Sequence, residues 1–587
     1  MSHSTLLLVI HFNKLHIMTK TKAILIATLL TLNISGIWAC TNLLVTKGAS
    51  VDGSTMITYS ADSYALFGSL YHYPATDYEL GSTLSIYEWD TGNFLGEIEQ
   101  VAHTYSVVGN MNEHQVAISE TTYGGREELA DSTGIMDYGS LMYIGLQRSK
   151  TAREAIKVIT ELVEKYGYYS SGESLSIADP NEVWVLELIG KGVGRKGAVW
   201  VAQRIPDGYV SAHANQARIT HFELEQRKSN KSISSKNMKK LFEPEVETIY
   251  AHDVIDFARK QNYFSGKDSE FSFSDVYNPL DFGGLRFCEA RVWSFFRVVD
   301  PSTERFLSYI NGETKERMPL WVKPTQKISA QDMKNFMRNH YEGTPLDMTQ
   351  GMGSGAYNSP FRPSPLTYKV DSVEYFHERP VGTQQTGFTF VAQMRNWLPD
   401  PIGGILWFGV DDATTNLYVP MYCGITEVPH SFSSDNGSLL QFSWTSAFWV
   451  NNWVGNMVYN RYSHLMPEVK KHQEKWETFF NEAVKNADKF AMTNDTIKMR
   501  QFLTDFSLAQ AETALKAWTK LGQFLMVKYL DGVTKVETGG VFEQNDKKIP
   551  SKVLRPGYSE DVNRKTFVTP NPERFRMKSS EEMQQRK

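Results

Sequence analysis

Between residues 40 and about 430 the chain is cut into short β-rich runs by Gly, Asn, Asp and Pro, and this punctuation constrains the fold most. Thr41–Thr46 and Met56–Ser60 are joined through KGASVDG, and Val183–Ile189 and Ala198–Ile205 through GKGVGRKG. Tyr209–Ala214 and Gly403–Val410 read similarly. Closely spaced strands with short polar connectors predict antiparallel sheets. Helical periodicity is clearest over Ala152–Lys165, where Ala155, Ile156, Ile159, Leu162 and Val163 share one face. Strands and helices mixed without regular βαβ alternation predict an α+β architecture.

Beyond about 430 the character changes. His464–Ala487 and Thr496–Leu530 are long, charged and helix-favouring, and the final stretch is polar and broken by Pro. The expected order is a leader over 1–39, a main domain over 40–430, and a helical extension with a polar tail over 431–587. The leader reading rests on Met18 as a plausible start, Lys20 and Lys22, the apolar run Ala23–Leu32 and a small-residue segment ending in Ala39. That is the order of charge, apolar core and cleavage site found in secretory signal peptides.

Cleavage after Ala39 puts Cys40 first, so one residue carries both a thiol and an α-amine. A terminal amine titrates at about 7.7–8.0 and can activate a neighbouring nucleophile. Three cysteines occur, Cys40, Cys288 and Cys423, and position separates Cys40 from the others. Gly48 and Gly53 centre the first hairpin near residue 50.5, so paired positions sum to about 101. Cys40 and Asp62 then lie nearly opposite at its open end. A carboxylate there either orients the terminal ammonium or simply ends a strand.

A tight Gly109–His114 segment places Asn110 and Asn112 on a turn, where Asn serves the backbone or, through its amide N–H, an oxyanion. Asn215 follows a strand-like run in SAHANQARI, and LRFCEARVW carries Arg286 and Arg291. A net charge of −5 without a dense Lys/Arg block argues against nucleic acid. No run of about 18 apolar residues follows residue 39, so no membrane span is expected. Gly192–Gly197 fits GxGxxG, yet AVWVAQRI after it reads as a strand, so the dinucleotide context fails. HExxH, CxxC, EF-hand and GxSxG patterns are missing, and the fourteen histidines lack metal-ligand spacing. No metal and no cofactor are expected.

CTNLLVTKGASVDGSTMITYSADS after a cleavable segment resembles the start of the bacterial dipeptidase A family, cysteine N-terminal-nucleophile hydrolases related to penicillin V acylases and bile-salt hydrolases. GNMNEHQVAISETTYGGR, GESLSIADPNEVWVLE, AHANQARI, RVW and LPDPIGGILWFGVDD fit the same family. The resemblance implies a four-layer αββα sandwich and amide hydrolysis by the mature N-terminal cysteine. It makes Cys40 the nucleophile, Asp62 the orienting carboxylate and Asn112 an oxyanion donor. Asn215 becomes a polar group for substrate and amine, and Arg291 a cation supporting the thiol. Related acylases carry an Arg three residues before the Asp; here Tyr59 stands there, which leaves open whether Arg291 alone supplies that charge.

A dipeptidase must also recognise termini, and position makes Glu120 a candidate for the substrate ammonium and Arg126 for its carboxylate. The expected function is thus an exported dipeptidase, periplasmic or secreted, acting on a dipeptide or small peptide; a homo-oligomer is compatible with the chain. One alternative keeps the chemistry but acts on acylated amino acids, bile-salt conjugates or penicillin V-like amides. Another reads Ile37-Trp38-Ala39-Cys40 as an imperfect lipobox, making the protein a lipid-anchored lipoprotein with a binding role.

Overall fold

The computed structural model describes residues 40–584 apart from 227, 494 and 568–570; the leader expected over 1–39 lies outside the described residues. The strands of the two large sheets that matter here are β1 (Asn42–Val45), β2 (Thr55–Asp62), β3 (Ala117–Gly124), β4 (Gly172–Ala178), β5 (Val183–Gly190), β6 (Ala198–Arg204), β7 (Val210–His213), β8 (Thr386–Met394), β9 (Gly404–Val410) and β10 (Val419–Tyr422). The helices that matter here are α1 (Tyr138–Gln147), α2 (Ala152–Tyr166), α3 (Ala290–Val299), α4 (Ala330–Phe336), α5 (Ala447–Asn460), α6 (Tyr462–Ala491) and α7 (Thr496–Tyr529).

One sheet has seven strands, in the order Trp321–Val322, β7, β1, β2, β8, β9, β10, all paired antiparallel. The other has nine and contains β6, β5, β4 and β3 as consecutive neighbours. Its one parallel pair joins Ser232–Ser234 to Thr248–Tyr250 at an edge. The sheets meet where β1 and β2 touch β3, and β2 touches β4. Helices α1 and α2 pack against the nine-stranded sheet, and α4, α5, α6 and α7 against strands β8 to β10 of the other. Because β1, β2, β4 and β5 are covered on both sides, every residue in them is buried, polar or not. The α+β reading therefore describes the molecule.

The first hairpin follows from its turn chemistry. Asp52 Oδ1 accepts from the Ser54 N–H at 3.0 Å and from the Ser50 hydroxyl at 2.8 Å, while Gly53 takes a φ of +82°. Gly48 is needed for a different reason, since a Cβ there would lie 2.8 Å from Asp207 and from the Gly208 nitrogen. With the loop fixed, Leu44 pairs with Ile57, Val45 with Met56 and Thr41 with Ser60.

A polar seam lies between the sheets beneath this hairpin. The Asn42 side-chain oxygen accepts from Ser119 at 3.0 Å and Ser176 at 3.3 Å once its amide is oriented to suit its neighbours. His213 bridges Thr121 and Ser176, each at 2.7 Å. Burial holds the His213 pKa down to about 3, so the ring is a neutral hydrogen-bonding link between β7 and the opposite sheet.

The two long C-terminal helices, α6 and α7, pack on one another and on β10. Buried pairs tie α6 to the chain just after β8, Arg395 to Asp488 at 2.6 Å, and just after α4, Arg338 to Glu477.

Candidate active site

Cys40 enters β1 with 3% of its surface exposed, and its main-chain atoms are held from two directions. Its nitrogen donates to Asn215 Oδ1 at 2.8 Å, and its carbonyl accepts from Arg291 Nη1 at 2.6 Å. Asn215 follows β7 at a φ of +59°, a left-handed position that Asn tolerates better than most residues. Its side-chain N–H donates to the Thr122 carbonyl of β3 at 2.7 Å, which fixes the direction of the amide. Arg291, fully buried near the start of α3, also donates to Thr41 Oγ1, Ala214 O, Asn215 Oδ1 and Phe287 O. Every guanidinium donor therefore has an acceptor, and the group acts as a rigid brace around Cys40 and Asn215.

The thiol faces the nine-stranded sheet. Its sulfur lies 3.5 Å from Glu120 Oε1 and 3.9 Å from the Tyr59 hydroxyl, and Tyr59 donates to the same Glu120 oxygen. Burial, together with the negative charges of Glu120 and Asp62, pushes the thiol pKa well above its ordinary value. The sulfur is held as a neutral thiol, and a base is required to make it a nucleophile.

Asp62 ends β2 within reach of this centre, but its carboxylate is committed elsewhere. Oδ1 accepts from Thr386 at 2.7 Å, and Oδ2 from Arg379 at 3.1 Å and Ser60 at 3.3 Å. Asp62 and Arg379 are each 1% exposed. Burial raises the Asp62 pKa, although Arg379, Thr386 and Arg291 pull it down. The Asp62 backbone, and not its carboxylate, hydrogen-bonds the Cys40 sulfur. The side chain on the Cys40 nitrogen is that of Asn215 and not the Asp62 carboxylate.

Asn112 requires a fuller correction. Both of its amide hydrogens are used, at 2.7 Å each, by the carbonyls of Leu146 and Ser149. Its oxygen accepts from the N–H groups of His114 and Val116, both at 3.0 Å. The side chain braces the turn and has no donor left for an oxyanion. On the next strand it is Glu120 that reaches the sulfur.

Arg126 lines a cavity of about 320 Å³ together with Asn215, Gln216, Asn278 and Cys288. Its Nε donates to the Val276 carbonyl at 2.7 Å, and the guanidinium lies 4.0 Å from the centre of the Tyr263 ring. Cavities of about 600 and 770 Å³ lie elsewhere, one along α4 and α6 and one by the Asn181–Asp207 edge. Cys40, Asn215, Arg291 and Glu120 thus come together, Arg126 borders the adjoining cavity, and Asn112 stands apart. Arg379, Thr386 and Glu173 escaped sequence reasoning; only the rule that a buried carboxylate needs a partner pointed towards a cation like Arg379. Among the described residues no group of three or more His, Cys, Asp and Glu could hold a metal ion, and no helix is long and apolar enough to cross a membrane.

The family model of peptidase family C69 matches residues 39–71 and 65–475, and the chain belongs to that family, which bears out the resemblance to the bacterial dipeptidase A proteins. Among its relatives, "Probable dipeptidase" of Salmonella dublin is 25% identical over 411 residues, covering 66% of this chain and 81% of the relative. "Probable dipeptidase B" of Lactococcus lactis subsp. lactis (strain IL1403) is 25% identical over 506 residues, covering 82% and 94%. "Dipeptidase A" of Lactobacillus helveticus is 23% identical over 502 residues, covering 79% and 93%.

Proposed function

We propose that the chain is an exported dipeptidase, cut after Ala39, in which Cys40 is the nucleophile and its own α-amine the base. The observation that carries this reading is the convergence of Asn215 and Arg291 on the main chain of Cys40. A nucleophile used only through its side chain does not need its backbone nitrogen held by a braced side chain. A terminal amine does, because its lone pair must be aimed at the sulfur. The two facing sheets with helices packed on each support the four-layer αββα sandwich of N-terminal-nucleophile hydrolases, with α5, α6 and α7 from beyond residue 430 supplying most of the layer on the seven-stranded sheet.

In this mechanism the amine takes the thiol proton, directly or through one water, and the sulfur attacks the peptide carbonyl. The single Tyr59 O–H is given to Glu120, so the Asp62 backbone N–H beside the sulfur meets the oxyanion in place of Asn112. The ammonium that results protonates the leaving amine, and water then hydrolyses the thioester with the same base. Arg291 keeps amine and thiol in register, and the Asp62–Arg379 pair anchors the end of β2.

Reach to the substrate amino terminus follows from the distances. At attack the carbonyl carbon sits about 3–3.5 Å from the sulfur, and an α-nitrogen lies about 2.5 Å from that carbon. Glu120, itself 3.5 Å from the sulfur, is in reach of an unblocked ammonium. Arg126, on the cavity beside Asn215, serves the terminal carboxylate. The test is turnover of unblocked dipeptides against their N-acyl derivatives. Preference for free dipeptides supports the proposal; reaction of acylated compounds alone makes the protein an acylase, and a lipid on Cys40 makes it a lipoprotein.

A further inference from the structure

Glu120 does not stand alone. In the β3–β4 register Thr122 pairs with Glu173, and Glu120 lies two residues from Thr122 along the same strand, so the two glutamates are diagonal neighbours on one face. Their carboxyls hydrogen-bond to one another. The remaining oxygen of each has a donor: Tyr59 for Glu120, and Thr122 at 2.6 Å for Glu173. Oε2 of each finds no other donor, although the residues are 2% and 1% exposed. Among the described residues neither glutamate forms an ion pair. Two carboxylates cannot face each other in a buried site unless a proton, or a cation, lies between them.

The nearby cations are engaged by other groups, Arg291 by Cys40, Thr41 and Asn215 and Arg379 by Asp62 and Gln385, and in the mature protein the Cys40 α-amine is the one further titratable nitrogen among the described residues at this centre. From β2 the pair meets Tyr59 and Asp62, and beside it stands the Cys40 thiol. Tyr138 of α1 approaches both glutamates and donates to Asp90 at 2.8 Å. Asp90, itself pushed up to about 7 by burial, adds negative character along with Glu88 and Asp137. Tyr123 and Tyr168 complete the shell. Burial raises the pKa of both glutamates, and Glu173 is raised further by Glu120.

We propose that Glu173 is the positioning residue of the substrate-ammonium subsite: without substrate its carboxyl and that of Glu120 share one proton, and the α-ammonium of an unblocked peptide displaces that proton and becomes the shared donor. This rests on the reading of Glu120 as the ammonium contact. The balance is simple: the protonated carboxyl pair plus substrate ammonium gives two carboxylates bridged by the ammonium, and one proton leaves for solvent. Selectivity for a free amino terminus then comes from two acids and not one. An N-acyl amide brings no positive charge, so it leaves the proton where it is.

The test uses the mature protein and a hydroxyethylene dipeptide isostere with a free α-amine, alongside its N-acetyl counterpart. Calorimetry in buffers of different ionisation enthalpy counts protons released. One per site is expected for the free-amine isostere, and none for the acetylated one. In Glu173→Gln the amide N–H donates permanently to Glu120, so proton release falls to near zero. Log KM for an unblocked dipeptide loses its fall of one unit per pH unit below the titration of the pair, while kcat stays within threefold. Release of the same proton by Glu173→Gln, or none by the unmodified protein, overturns the proposal. Should that variant not fold, infrared difference spectra of the unmodified protein decide: loss of a carboxylic-acid C=O band on binding is expected, and an unchanged band refutes it. If acetylation makes no difference to binding, the reading of Glu120 itself fails. If the free amine binds better but no proton leaves, only the role of Glu173 does.

Discussion

Replacing Glu120 by Gln changes one charge at the sulfur and almost nothing else in shape. The Tyr59 hydroxyl can donate to the amide oxygen as it does to the carboxylate, and the new N–H can donate to Glu173 in place of the proton the two carboxyls share. What disappears is the charge-assisted bond to a substrate ammonium, worth about 1.5–3 kcal/mol. At about 1.36 kcal/mol per tenfold, kcat/KM for an unblocked dipeptide should fall roughly 10- to 150-fold. N-acetyl dipeptides make no such bond, so the ratio of the two kcat/KM values narrows by the same factor. Stability should move the other way. Because burial raises the folded pKa of Glu120, the native state loses stability as pH climbs from the unfolded value, about 4.3, through the folded one. The variant lacks that titration and should melt no lower than the parent at neutral pH. The assay is release of free amino acid from matched substrates, with thermal melts in parallel. Equal losses on blocked and unblocked substrates, or no loss on either, would show that Glu120 does not read the amino terminus.

Four other outcomes are expected. Cys40→Ser should lose several orders of magnitude in amide hydrolysis with an unchanged circular dichroism spectrum; near-normal turnover contradicts the nucleophile assignment. Arg291→Lys replaces a five-donor fork by a point charge, so kcat should drop at least tenfold while KM for dipeptides changes little. Asp62→Ala leaves Arg379 buried without its carboxylate, a change of about 3–5 kcal/mol, and should lower the melting temperature clearly; a thermally silent variant refutes the ion-pair description. Asn112→Ala strips four hydrogen bonds from a buried turn, so it should destabilise the fold, yet kcat per folded molecule should stay within threefold, where an oxyanion donor would cost about 100-fold or more.

What the sequence made legible was local. The hairpin register could be read from Gly48 and Gly53 because turn chemistry sets it, and the observed pairs Leu44–Ile57 and Val45–Met56 have that spacing. The helix over Ala152–Tyr166 was legible from its apolar face. What Asp62 faces was not, because Arg379 lies over three hundred positions away and no local pattern marks it. Asn112 shows the opposite failure: a residue suited to a catalytic amide was suited equally to bracing a turn, and two carbonyls from the α1 end claim it. The Glu120–Glu173 pair needed strand register, since only the β3–β4 alignment puts the two carboxyls on one face. Tyr59, standing where related acylases carry Arg, contributes a hydroxyl to the sulfur and to Glu120, which a substitution read from sequence could not reveal.

Intact-mass measurement of the active, purified protein, joined to sequencing from its amino end, bears most directly on the central claim. A polypeptide starting at Cys40, unmodified on sulfur and nitrogen, is the predicted result. Full activity in a sample that still carries upstream residues, or a diacylglycerol on that sulfur, would contradict it.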